Sequence, residues 1–214
     1  KGKTRVGTVE GNTISFGTAV EFESGNTDYI GSCFDSSNNK VVIAYRDTND
    51  SNKGKAIIGT VSGTSITFGT PVIFETGNTQ AISCCFDSTN NKVVIMYVDT
   101  GNNGYLTVIV GTVSGTSISF GTPTVAVSSY GNETSCVFDG TNSKVAVQYV
   151  ISTSNYAIVG TVSGTSISFG SSGGFIDAGG NTISTALDSN TGKVIFGYKF
   201  NSRPAMKLGT VSGT

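Results

Sequence analysis

Five copies of one short segment constrain this chain more than any other feature. Val6-Gly7-Thr8-Val9 returns as Ile58-Gly59-Thr60-Val61, Val110-Gly111-Thr112-Val113, Val159-Gly160-Thr161-Val162 and Leu208-Gly209-Thr210-Val211. Successive glycines of the set are 52, 52, 49 and 49 residues apart. A period of about 50 residues belongs to propellers, solenoids and arrays, in which one supersecondary unit is copied and stacked. The repeated residues are then scaffold, and recognition or chemistry has to come from what is not repeated.

Each repeat divides into four strand-like segments. The first is short and ends in an Asp: residues 30–35, 82–87, 135–139 and 183–188. A polar turn follows, such as Ser36-Ser37-Asn38-Asn39. The second is a continuous apolar run closed by Tyr, at 41–45, 93–97, 145–149 and 194–198. Unbroken runs of this length are expected to be buried on both faces. The third carries Val-Gly-Thr-Val, and a Ser-Gly-Thr-Ser turn leads into the fourth. There Ile14/Phe16, Ile66/Phe68, Ile118/Phe120 and Ile167/Phe169 alternate with polar residues, as in a strand with one wet face.

No helical periodicity is present, so the expected class is all-β. A repeated four-stranded meander is the sequence description of a β-propeller blade. An immunoglobulin-like domain would need about seven strands per repeat. The expectation is one domain, a β-propeller of four blades with four antiparallel strands each. The repeats run at about 6–57, 58–109, 110–158 and 159–207, with an extra terminal strand at 208–214. Residues 5–9 and 207–211 copy the same strand, which leaves one third strand in surplus. Either residues 13–22 supply the last blade's fourth strand and hold the ring shut, or a terminal segment pairs with a neighbouring subunit or with further repeats of a longer polypeptide.

Composition removes several functions. With 13 Lys+Arg against 14 Asp+Glu in 214 residues, no basic stripe is available to neutralise phosphates, so nucleic acid is not an expected partner. No apolar run approaches the roughly 18 residues that span a bilayer, so membrane insertion is not expected either. The chain has no His, the usual base for a Ser or Cys nucleophile, and no Trp. Glu21, Glu23, Asp28, Glu75 and Glu133 are acids outside the repeat pattern that a two-carboxylate glycosidase would use. Sialidase-type propellers would show more arginines than Arg5, Arg46 and Arg203. The chain is read as not an enzyme, with no cofactor.

Metal and sulfur chemistry are weak in the same way. Asp35, Asp87, Asp139 and Asp188 each stand five positions before a Lys (Lys40, Lys92, Lys144 and Lys193), and they read as turn-opening acceptors followed by solvated strand starts rather than a metal ring. Asp47, Asn49 and Ser51 alternate like the ligands of a hard cation, but no bidentate Glu closes that loop. Cys33, Cys84, Cys85 and Cys136 align with Ser, Val, Thr or Ala in other repeats, so they read as small buried side chains with free thiols. No C-x-x-C and no His complete a zinc site. The sequons at Asn49 and Asn132 are short enough to arise by chance in this composition.

The unit Val110-Gly-Thr-Val-Ser-Gly-Thr-Ser-Ile-Ser-Phe-Gly-Thr122, followed by Gly-Asn, Phe-Asp-x-x-x-Asn-x-Lys-Val and a closing Tyr, resembles repeats of structural and tail-fibre-like proteins of marine bacteriophages and of some bacterial surface proteins. The resemblance covers nearly the whole chain and implies display on a virion or cell surface. It carries over no catalytic residues.

In a four-stranded meander the second-to-third turns and the connections between repeats share one end. Here they differ from copy to copy, at 46–55, 98–104, 150–155 and 199–204. Divergent loops on a repeated scaffold are where recognition sits. Tyr29, Arg46, Tyr105, Tyr130, Tyr156, Phe200 and Arg203 are the aromatic and Arg side chains expected there as anchors for a partner. The expected function is a non-enzymatic structural or adhesive surface protein, on a virion or extracellular, that contacts a host or neighbouring subunits. The alternative is a lectin-like module for cell-surface glycans. For that reading Gly25-Asn26, Gly77-Asn78, Gly131-Asn132 and Gly180-Asn181 recur, while the aromatics do not.

Overall fold

Runs of Val, Ile and Thr between Gly, Asn and Asp turns become strands along almost the whole chain. The structure, a computed structural model, describes residues 1–175 and 182–211. It opens with β1 (Gly2–Thr4), β2 (Gly7–Glu10), β3 (Thr13–Phe16) and β4 (Val20–Glu23). Sheet one holds β5 (Thr27–Asp35), β6 (Lys40–Asp47), β7 (Lys53–Ser62), β8 (Ser65–Phe68) and β9 (Val72–Glu75). Sheet two holds β10 (Thr79–Asp87), β11 (Lys92–Asp99), β12 (Tyr105–Ser114), β13 (Ser117–Phe120) and β14 (Thr124–Tyr130). Sheet three holds β15 (Glu133–Asp139), β16 (Lys144–Ile151), β17 (Ser154–Ser163), β18 (Ser166–Phe169) and β19 (Gly173–Gly174). Sheet four holds β20 (Ile183–Asp188), β21 (Lys193–Phe200) and β22 (Arg203–Thr210). The fold is all-β, made of several antiparallel sheets, and among the described residues none closes on itself.

The turns follow from their residues. Gly63, Gly115 and Gly164 take φ of +58°, +61° and +60° in the two-residue loops of the Val-Gly-Thr-Val hairpins, a conformation open to glycine at little cost. At the first-to-second turn the buried carboxylate of Asp87 accepts from the backbone N–H groups of Thr89 and Asn90, at 2.9 Å each, and from Asn90 Nδ2 at 2.8 Å. Asp35 and Asp139 are bonded in the same way. Three of the four lysines that follow are not simply solvated, which corrects the expectation for those three. Lys40, Lys144 and Lys193 donate to the hydroxyls of Thr60, Thr161 and Thr210 in the adjacent third strand.

The expected fourth strand is two strands. β8 pairs with one half of β7 and β9 with the other. The break falls at Gly69, where a Cβ would run into the carbonyl oxygen of Thr116 in the next sheet. Gly17 against Thr64 and Gly121 against Thr165 repeat this contact. It sets how closely neighbouring sheets approach.

The core lies between sheets. Each sheet has a leading face, toward the next sheet in chain order, and a trailing face toward the previous one. Val42, Ala44, Ala56 and Ile58 on the leading face of sheet one meet Val93, Ile95, Tyr97, Ile109, Val113 and Ile118 on the trailing face of sheet two. Val94, Met96, Val108 and Val110 repeat the arrangement against Val145, Val147, Tyr149, Ile158 and Ile167 of sheet three. The run Val93 to Val98 is almost wholly excluded from solvent, as expected for a strand buried on both faces. The first strands β5, β10, β15 and β20 lie side by side in chain order.

The expected closure by residues 13–22 is not formed among the described residues. β3 pairs with β2 and β4 with β1, while among the described residues β22 pairs with β21 alone. Together β1 to β4 form a partial unit, and its Phe22 packs against Tyr45 of sheet one with ring centroids 5.3 Å apart. Gly180-Asn181 and residues 212–214 lie outside the described residues.

Candidate binding surface at the hairpin end

The second-to-third hairpins and the connections between sheets are bonded together at one end of the sheets. Thr48 N–H donates to the Asn26 carbonyl at 3.0 Å, and Thr100 N–H to the Asn78 carbonyl at 3.0 Å. Asn132 reverses the direction, its N–H reaching the Val150 carbonyl at 2.9 Å. The Gly-Asn connections at Asn26, Asn78 and Asn132 are thereby held against their own sheets' hairpins, and residues projecting from either share a surface.

Beneath that surface lies a bond the sequence reading did not anticipate. Glu23 and Glu75 belong to a repeated Phe-Glu-x-Gly-Asn segment, so they are not the unrepeated acids expected of them. Tyr45 Oη donates to Glu23 at 3.0 Å and Tyr97 Oη to Glu75 at 3.1 Å, each joining neighbouring units. The second carboxylate oxygens accept from Gly25 and Gly77 N–H at 2.9 and 2.8 Å. Burial and then the adjacent carboxylate push both phenols far above the usual tyrosine range. The spacing of Glu75 ahead of Gly77-Asn78, copied at Glu23, was the signal for this pair. Such carboxylates are committed to structure and do not stand ready as a glycosidase pair.

The seven expected anchors form four separate groups, one per sheet. In sheet one the Arg46 guanidinium lies 4.6 Å from the Tyr29 ring centroid and pairs with Asp28 at 2.8 Å. Arg46 also donates to Asn78 Oδ1 and the Thr79 carbonyl of sheet two, both at 3.4 Å, so it links two sheets. Tyr29 sits in a bulge at φ +49° and is 41% exposed. In sheet two Tyr105 and Tyr130 are cross-strand partners, with Tyr130 51% exposed. Tyr156 of sheet three is half-buried in a stack on Tyr149, at 5.4 Å and 15°. Phe200 and Arg203 face each other across the last hairpin, Arg203 exposed. Beside them a cleft of about 430 Å³ is lined by Ile183, Tyr198, Arg203 and Pro204.

The loop after β6 is an ion-pair cluster. Lys55 pairs with Asp47 at 2.7 Å and Asp50 at 2.8 Å, and Lys53 pairs with Asp50 at 2.8 Å. Asp47 also accepts from Asn49 N–H at 3.0 Å. Lysines thus occupy the carboxylates that a calcium ion would need. Among the described residues no three Cys, Asp or Glu side chains converge as a metal site.

Away from the hairpins, the first strands line a groove of about 520 Å³ bounded by Phe34, Phe86, Phe138 and Leu187. All four thiols border it and are free. Cys33 lies beside Cys84 and Cys85 beside Cys136, so the thiols meet in pairs across neighbouring sheets. The thiol hydrogen bond to Cys136, followed by burial, raises Cys85, while the same hydrogen bond lowers Cys136.

The chain matches no protein-family model and no curated protein sequence.

Proposed function

We propose that the sheets are blades of a β-propeller-type repeat domain and that the protein is a non-enzymatic structural or adhesive module of a virion or cell surface. The side-by-side packing of β5, β10, β15 and β20 around one groove supports the radial arrangement. The hairpin end is the binding surface, contacting a host or a neighbouring subunit. One observation carries that assignment. The Asp-turn end repeats the same self-satisfied hydrogen bonds from sheet to sheet, whereas the hairpin end presents a different aromatic or arginine group from each one, with Tyr29, Tyr130 and Arg203 open to solvent. Rigid aromatic and arginine side chains are the types that anchor protein interfaces.

Fluorescently labelled protein and a Tyr29→Ser/Tyr130→Ser/Arg203→Ser variant are to be compared for saturable binding to a panel of bacterial cells. Binding that is lost in the variant and abolished by protease treatment of the cells supports the reading. Loss on periodate oxidation instead indicates the glycan-binding alternative. Absence of saturable binding, or full binding by the variant, overturns the surface assignment.

A further inference from the structure

Two apolar faces are left uncovered among the described residues, and they match the two sides of a contact the chain already makes within itself. Leu208 aligns with Ile58 and Val110, and Met206 with Ala56 and Val108. These four interior residues are between 0% and 1% exposed, because the following sheet covers them. On the leading face of sheet four, Leu208 is 65% and Met206 72% exposed.

The trailing face of the β2–β3 hairpin is uncovered in the complementary sense. Val9 aligns with Val113 and Val162, and Ile14 with Ile118 and Ile167. The interior copies are 3% to 6% exposed, pressed on the preceding sheet. Val9 is 71%, Ile14 53% and Phe16 60% exposed, and Ile30 and Phe34 of sheet one are open as well. Clustered apolar exposure of this kind marks an interaction surface.

We infer that the leading face of sheet four in one copy receives the trailing β2–β3 face of a second copy. Inside the chain the same alignment positions mate twice with full burial, between sheets one and two and between sheets two and three, so the third- and fourth-strand part of the contact is already present, without the second-strand share that Val93, Ile95 and Tyr97 supply inside the chain. Leu208 and Met206 take the parts of Ile58 and Ala56, and Val9 and Ile14 those of Val113 and Ile118. The two faces differ, so the association is heterologous and propagates until a ring closes or a filament forms. It is independent of what the hairpin end binds.

Leu208→Glu removes one face and Val9→Glu the other. Both positions are open to solvent, so each variant should keep the far-UV circular dichroism and melting of the parent. Sedimentation velocity of the parent should show species larger than one chain that grow with concentration. Each variant alone should remain monomeric or lose most of the association. An equimolar mixture should recover a dimer and nothing larger, because each variant retains one complementary face. A parent that stays monomeric at every concentration, a single variant that associates like the parent, or a mixture that stays monomeric overturns the inference.

Discussion

The phenol of Tyr97 donates across 3.1 Å to the carboxylate of Glu75 in the preceding sheet, and Glu75 accepts in turn from the N–H of Gly77 at 2.8 Å. One side chain therefore ties a strand of sheet two to the connection leaving sheet one. Tyr97→Phe removes the donor and leaves the carboxylate short of a partner. A hydrogen bond to a charged group is worth about 1.5–3 kcal/mol, so a loss of that order is expected in urea unfolding.

The same pair makes a pH prediction. Burial, then Glu75, raises the folded-state pKa of Tyr97, and Tyr45 is raised by burial and Glu23. A group with a raised folded pKa contributes stability that is full below its unfolded value, about 10 for tyrosine, and is lost as the pH climbs past it. The urea midpoint should fall above about pH 10, and fall less steeply in Tyr45→Phe/Tyr97→Phe. An equal slope in the variant would show that other groups control alkaline unfolding.

Gly69 and Gly63 separate two reasons for glycine. A Cβ at Gly69 collides with the Thr116 carbonyl of the next sheet, whereas Gly63 sits in open space at φ +58°. Gly63→Ala should cost about 1–2 kcal/mol, the penalty for a left-handed non-glycine residue. Gly69→Ala forces neighbouring sheets apart, an overpacking cost of about 1–3 kcal/mol, with weaker amide-exchange protection in β8 and β13. Unchanged protection there would show that the sheets do not depend on this approach.

Asp87 is fully buried and its acceptors are used by Thr89 and Asn90. Asp87→Ala leaves those donors unpaired and should destabilise by about 1–3 kcal/mol, with Asp87→Asn milder because one acceptor remains. At the equivalent Asp35, burial raises the carboxyl, but the donors of Ser37 and Asn38 outweigh it and the net shift is downward. A depressed folded pKa gives stability that is present above the unfolded value of 3.8 and lost as the pH falls below it. Asp35→Asn should accordingly flatten the acid limb of the stability profile.

The thiols should alkylate in an order set by their pairing. Cys136 is lowered by its hydrogen bond from the Cys85 thiol and is only partly buried from solvent, whereas Cys85 is buried and raised by that hydrogen bond. Native-state labelling resolved by peptide mass should find Cys136 modified ahead of Cys85. Unfolding without reductant should then expose four free thiols, and any pair resistant to alkylation would reveal a disulfide.

What could be read from the residues in order was what depends on near neighbours. The run Val93 to Tyr97 announced a strand covered on both sides, Asp87 announced its turn, and the divergent loops were assigned to one end of the sheets. These are short-range matters of side-chain alternation, turn geometry and backbone hydrogen bonding, which a few consecutive residues determine. The carboxylate that Tyr97 meets, the carbonyl that requires Gly69, and the second role of Arg46 as a link between sheets involve residues brought together only when one sheet packs on the next. The same holds for Leu208 and Val9. By sequence they are ordinary copies of Ile58 and Val113, and whether an apolar side chain is core or surface is decided by what lies across the face from it. Repetition made the sheets and their register. Tertiary stacking decided which of their equivalent faces are buried, because burial is a property of two surfaces while a strand supplies only one.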